Sequence, residues 1–159
     1  MRFDSGRLRL PLAIFLMTGA LTLAAIGSNG KAVKMIAVSK KQAIEVELKL
    51  NPTFGIQKQG PHEITVYQLS KKHTKETDVK KAIAGYGKPV LEIKPQALTG
   101  VVSKIDADYF SSVDKFTVPV SATGDLAIKA KIFYCSFKDH FCSVDVLYTI
   151  LPDTNLQGR

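Results

Sequence analysis

Residues 126–150 read LAIKAKIFYCSFKDHFCSVDVLYTI. Leu126, Ile128, Ala130, Ile132 and Tyr134 share one side of this run, and Lys129, Lys131, Phe133 and Cys135 share the other. A repeat of two sends successive side chains to opposite faces of a pleated strand. Beyond a short polar connector, Val144, Val146, Tyr148 and Ile150 alternate with Ser143, Asp145 and Thr149, which reads as a second strand with the first set as its apolar face. Two such runs joined by so short a connector predict an antiparallel hairpin.

Working outward, the same period recurs. Ile44, Val46, Leu48 and Leu50 alternate with Glu45, Glu47 and Lys49 over 42–50, and Asn51-Pro52-Thr53-Phe54-Gly55 ends that strand, since proline lacks a ladder donor and glycine accepts turn angles. Further strands are expected over 63–69, 90–93 and 101–105. Phe116, Val118 and Val120 alternate with Lys115, Thr117 and Pro119, and the proline assigns this strand to an edge or a bulge. Seven or eight short strands punctuated by turns predict an all-β antiparallel β-sandwich spanning 32–152. One stretch, 70–88, breaks the rhythm. It is rich in lysine, and Thr77 or Asp78 is placed to cap a short helix ending at Ala84–Gly85, with Val79 and Ile83 facing the body of the domain. Residues 153–159 read as a frayed tail.

The N-terminus indicates the compartment. Arg2, Arg7 and Arg9 precede an apolar run from Leu10 to Ile26, followed by the small residues Ala24, Ala25, Gly27, Ser28 and Gly30. A charged start, an apolar middle and a small-residue exit form the pattern of a secretory signal peptide, here 1–27, with cleavage after Gly27 or after Gly30. The run is short for a spanning helix, which needs about 20 apolar residues. A periplasmic or secreted protein is therefore expected.

The 159-residue chain carries 22 Lys+Arg against 14 Asp+Glu, a formal net charge of +8. Without residues 1–27 the balance is 19 against 13, or +6, and the only arginine left is Arg159. Nucleic-acid readers rely on arginine forks for phosphate and base recognition, so a nucleic-acid partner is not expected. Lys71, Lys72, Lys75, Lys80 and Lys81 could touch an anionic surface such as acidic lipid or polysaccharide, although such runs are ordinarily solvated faces.

The chain has two cysteines, Cys135 and Cys142, at the mouth of the predicted hairpin. A lone pair in an exported protein is expected to form a disulfide, serving as a local staple or as an exposed redox site. Lys138 and His140 lie between them and could favour a thiolate, and Phe137 and Phe141 could shield the sulfurs. Closing so short a loop stabilises by only about 2.5 kcal/mol. Cys135, His140 and Cys142, with His62 or His73 as a distant fourth ligand, also offer donors suited to zinc or copper. No Ser-His-Asp spacing is recognisable, and Gly85-Tyr86-Gly87-Lys88 lacks the context of a phosphate loop.

The combination of Leu50-Asn51-Pro52-Thr53-Phe54-Gly55-Ile56, Lys115-Phe116-Thr117-Val118-Pro119-Val120 and the 132–142 stretch resembles the N-terminal domain of the thiol:disulfide interchange protein DsbD family and related disulfide-bond-corrector modules. The resemblance covers most of 40–152. It implies an immunoglobulin-like sandwich and a redox-active pair falling on Cys135 and Cys142. It also implies a short cap loop over that pair, for which Asp106-Ala107-Asp108-Tyr109-Phe110 is the nearest match. The membrane and thioredoxin-like domains of the full interchange protein have no counterpart here, and the 70–88 insertion is foreign to the pattern.

Three functions follow as expectations. The first is an exported thiol–disulfide exchange module acting through Cys135 and Cys142 on a partner thiol protein, without a cofactor. The second is a non-enzymatic sandwich that binds a partner and carries a structural disulfide. The third is a metal carrier.

Overall fold

The computed structural model describes residues 26–40, 42–70, 78–94, 98–122 and 124–152. Most of the segment 1–27, expected from sequence to be a signal peptide, the lysine-rich stretch 71–77 and the tail 153–159 lie outside the described residues. Two antiparallel sheets face each other. The first has the order β1 (Ile26–Asn29), β2 (Val33–Lys40), β3 (Ala43–Leu50), β9 (Phe116–Pro119). The second runs β6 (Gly87–Ile93), β5 (Glu63–Leu69), β10 (Leu126–Ser136), β4 (Phe54–Gln57), β8 (Tyr109–Val113), β7 (Gly100–Val102), with β11 (Phe141–Leu151) on the other side of β10. The all-β sandwich expected from the alternations is therefore the observed architecture. β3 pairs with β9 in the first sheet, and in the second β10 pairs with β11 on one side and with β4 and β5 on the other. Eleven strands are present among the described residues, more than the seven or eight anticipated. The extra ones are short or blurred. In β2, Val33, Met35 and Ala37 are buried, but Ile36 and Val38 on the opposite side are apolar too and half-buried, which erases the period of two.

The core fills the space between the sheets. Met35, Ala37, Ile44, Val46 and Leu48 come from the first sheet, and Ile56, Ile64, Val66, Ile128, Ala130, Ile132 and Tyr134 from the second. Burying such side chains at about 25 cal/mol per Å² is what stabilises the two layers. Pro119 lies on β9, an edge strand, as a residue without a ladder donor must.

The face of β11 corrects the sequence reading. β10 and β11 pair residue by residue from Leu126↔Leu151 to Ser136↔Phe141. Directly opposed residues share a face, so Asp145, Leu147, Thr149 and Leu151 point inward with Ile132, Ala130, Ile128 and Leu126. Val144, Val146 and Tyr148 lie on the outer face, and Val146 is 44% exposed. Leu147 and Leu151 outweigh the two polar positions on this face, because Asp145 and Thr149 both find partners.

β4 and β5 lie end to end along the same side of β10, with an excursion at 58–62 between them. The break would leave the Phe133 N–H without an acceptor. His62 fills the gap: its Nδ1 accepts from Phe133 N at 3.1 Å, and its Nε2 donates to the Gln57 carbonyl at 2.6 Å. Those two bonds require the neutral imidazole. Burial lowers the His62 pKa, only partly opposed by the Gln57 hydrogen bond. The folded protein thus binds this proton less readily than the unfolded chain. The stability from His62 is fully present above the ordinary histidine value near 6.5 and is lost as pH falls below it. Between pH 6.5 and 5 the unfolding free energy should fall by up to about 1.4 kcal/mol per pH unit. His62→Gln should flatten that slope in urea titrations at each pH, and an equal slope in the variant would remove His62 from the account.

Helix α1 (Val79–Tyr86) packs on the outer face of the second sheet, where Ala82, Val79 and Ile83 meet Leu69, Ala127 and Ile150. Asp78 is the cap, its carboxylate accepting from Lys81 N at 3.1 Å. The helix continues through Gly85 to Tyr86, and Gly87 both caps it and opens β6.

Candidate functional site

Cys135 and Cys142 sit opposite each other near the end of β10 and β11 and form a disulfide, with their Cα atoms 4.0 Å apart. This spacing is that of a pair lying between ladder hydrogen bonds, where side chains approach most closely. Both sulfurs belong to the outer face of the second sheet. Their surroundings differ. Cys135 is buried, 7% exposed, whereas Cys142 is exposed.

The cover over Cys135 is built from three elements. On β4, Gly55 is its strand neighbour. On β8, Tyr109 places its hydroxyl 3.2 Å from Cys135 Sγ, and because a disulfide sulfur has no proton the hydroxyl donates. From the hairpin turn, the Phe137 ring meets the Tyr109 ring edge-on, centroids 5.6 Å apart at 85°. The two rings occupy the space above Gly55, where an added Cβ would come 2.5 Å from Phe137 Cζ and 2.9 Å from Tyr109 Cβ. Glycine is needed there because the aromatic cover stands where a side chain would be.

Local hydrogen bonds make this cover rigid. Phe137 N donates to the Thr53 carbonyl at 3.0 Å. Asp139 N donates to Ser136 Oγ, and Ser136 Oγ donates to Asp139 Oδ2, both at 3.0 Å. His140 closes the turn with φ of 53°, a left-handed angle that histidine tolerates better than most residues. The Asp106–Tyr109 turn is held by Tyr109 N to the Asp106 carbonyl at 3.2 Å, and by Ser103 N to the Tyr109 carbonyl at 2.8 Å.

The structure sorts the residues singled out by sequence. Cys135, Cys142, Phe137 and the loop carrying Tyr109 come together. Phe141 does not join them: one residue before Cys142, it faces inward, packing on Phe54 at 6.4 Å, with Lys31 Nζ 4.8 Å over its ring. Lys138 and His140 are exposed turn residues, and the group touching a sulfur is Tyr109. His62 spends both ring nitrogens on backbone groups, so it offers no lone pair to a metal, and His73 lies outside the described residues. Among the described residues no group of three or more His, Cys, Asp or Glu is placed to hold a metal ion. Lys80 and Lys81 are exposed on α1, and Lys81 pairs with Asp78 at 3.6 Å. Lys71, Lys72 and Lys75 lie outside the described residues. Among the described residues no helix is long and apolar enough to cross a membrane.

Sequence reasoning passed over Asp145 and read Gly55 only as a turn residue. Asp145 left no motif, because its partners are backbone amides more than a hundred residues away. No family model matches this chain, and no curated protein or solved structure matches it either.

Proposed function

We propose that this protein is an exported thiol–disulfide exchange module that passes electrons between the Cys135–Cys142 pair and a partner thiol protein, the role implied by its resemblance to the DsbD N-terminal domain. The supporting observation is the asymmetry of the disulfide: Cys142 is exposed, whereas Cys135 is buried against Tyr109, on which Phe137 packs. Exchange needs an accessible sulfur to attack and a leaving sulfur able to hold negative charge. A partner thiolate attacks Cys142 Sγ, forming a mixed disulfide. The Cys135–Cys142 bond breaks, and Cys135 departs with the electron pair as a thiolate, to which the Tyr109 hydroxyl donates. A second partner thiol, deprotonated, then attacks the partner sulfur of the mixed disulfide and releases Cys142 as a thiolate. Two electrons move, the partner leaves as a disulfide, and this chain holds the dithiol. The reverse sequence oxidises it.

A purely structural role has less to explain here. The hairpin register is already set by the other ten β10–β11 residue pairs, so a further 2.5 kcal/mol or so of loop closure adds little to it.

The test is an equilibrium titration of the pair against glutathione. Exchange calls for a potential above about −300 mV, while a lower value marks an inert bond and overturns the reading. The Cys135→Ser variant should accumulate a mixed disulfide through Cys142 with a small thiol–disulfide reagent. Cys142→Ser should do so at least about tenfold more slowly, because reaction rates follow access.

A further inference from the structure

Asp145 is a buried carboxylate, 7% exposed, that the exchange chemistry does not use. It lies on the inward face of β11 and accepts three consecutive backbone N–H groups: Lys31 at 3.0 Å through Oδ1, and Ala32 at 2.8 Å and Val33 at 2.9 Å through Oδ2. Among the described residues no lysine, arginine or histidine nitrogen lies within salt-bridge distance of it. A buried charge without a counter-ion is costly even when hydrogen-bonded. The nearest position for a cation is the Lys31 backbone nitrogen itself.

That nitrogen is an amide only while Gly30 precedes it. Ser28-Asn29-Gly30 directly follows the apolar leader and offers small residues at both positions an A-x-A-like cleavage site requires. Gly30 also has no room for a side chain: a Cβ there would run into the Asp145 carboxylate. The strand that cleavage would remove, β1, is an edge strand whose ladder partner is β2, and its Gly27 and Asn29 are exposed. Cleavage after Gly27 would instead begin the chain in the middle of β1.

We propose that the chain is processed between Gly30 and Lys31, and that the α-ammonium so created closes a buried ion pair with Asp145. Cleavage adds water across the Gly30–Lys31 amide. The carboxylate leaves with the leader, and the amine, protonated at neutral pH, stays with the domain. Proteolysis acts on the extended chain during export, and folding then carries the new terminus onto Asp145. The inference rests on the export reading above and goes beyond it by naming the bond and the acceptor.

The experiment expresses the full chain with its leader, recovers it from the extracytoplasmic fraction and measures its intact mass. A polypeptide beginning at Lys31 is the expected result. An exported chain beginning at Ser28 leaves export standing and overturns this inference, whereas an intact chain retained in the cytosol overturns both. On the recovered protein, the Lys31 α-amine should react with an acylating reagent at least about tenfold more slowly in the folded state than in urea, since a tenfold slower reaction corresponds to about 1.4 kcal/mol of protection. Asp145→Asn should abolish that protection while the protein stays folded by circular dichroism. Equal labelling rates in native and unfolded wild-type protein would overturn the ion pair, even if the variant fails to fold.

Discussion

Asp145→Ala should cost this domain on the order of 4 kcal/mol, the largest single-residue loss expected outside the apolar core. The substitution strips the acceptor from the Lys31, Ala32 and Val33 amides, the last two of which are buried. A hydrogen bond to a charged acceptor contributes about 1.5–3 kcal/mol, and buried donors left unmet carry their own desolvation cost. The three bonds share one carboxylate, so the sum is less than three times one bond. Against a total stability of about 5–15 kcal/mol, such a loss approaches unfolding. Asp145→Asn keeps one carbonyl oxygen and should lose about half as much. Urea unfolding would show the midpoint falling with an unchanged slope. A shift worth less than about 1 kcal/mol in the alanine variant would mean that the entry into β2 is held by something other than this carboxylate.

Gly55→Val should both destabilise the domain and open the disulfide. The new branched side chain would collide with Tyr109 Cβ, which is anchored to the backbone, and with Phe137 Cζ, which can swing away. Forcing extra methyl groups into a filled space costs about 1–3 kcal/mol. The more specific effect concerns reactivity. An edge-on aromatic pair contributes about 0.5–1.5 kcal/mol beyond its area, so displacing the rings should speed reduction of the disulfide by dithiothreitol by as much as about tenfold. Tyr109→Phe separates the two effects. It keeps the ring over Cys135 and removes only the hydroxyl that donates to Sγ. Stopped-flow reduction and urea unfolding of both variants provide the check. If Gly55→Val loses stability but is reduced at the wild-type rate, the rings do not guard the sulfur.

The parts of the fold that could be read from sequence are those where one strand face is apolar and the other is not. Ile44, Val46 and Leu48 against Glu45 and Glu47 located β3 to within a residue, and of the edge or bulge that Pro119 allowed for β9 the edge is observed. Legibility failed where a polar residue is buried with a distant partner. Asp145 and Thr149 made the inward face of β11 look like its solvent face, because a carboxylate satisfied by amides at 31–33 leaves no local trace. His62 was singled out only as a distant metal ligand, yet it replaces a missing strand neighbour for Phe133. At the site, the spacing of Cys135 and Cys142 foretold the bond. The asymmetry around it arises from Tyr109, twenty-six residues upstream and brought close by β4 and β8 pairing. Phe137 and Phe141 were indistinguishable by composition. Phe137 belongs to the turn and packs on Tyr109, whereas Phe141 opens β11 on its inward face and packs on Phe54.

The rims of the two sheets restrict the trajectories open to a visiting protein. β6 carries Pro89 and the exposed Lys88, β9 ends in Pro119, and β7 has only three residues. Prolines, charges and short lengths deny an incoming strand the continuous ladder it would need. The exchange proposed above then calls for a partner that approaches the flat of the second sheet at the exposed Cys142 rather than one that zips alongside β6, β7 or β9. Encounters of that kind rest on a small patch of side-chain contact and dissociate readily, as the proposed exchange with successive partners would require.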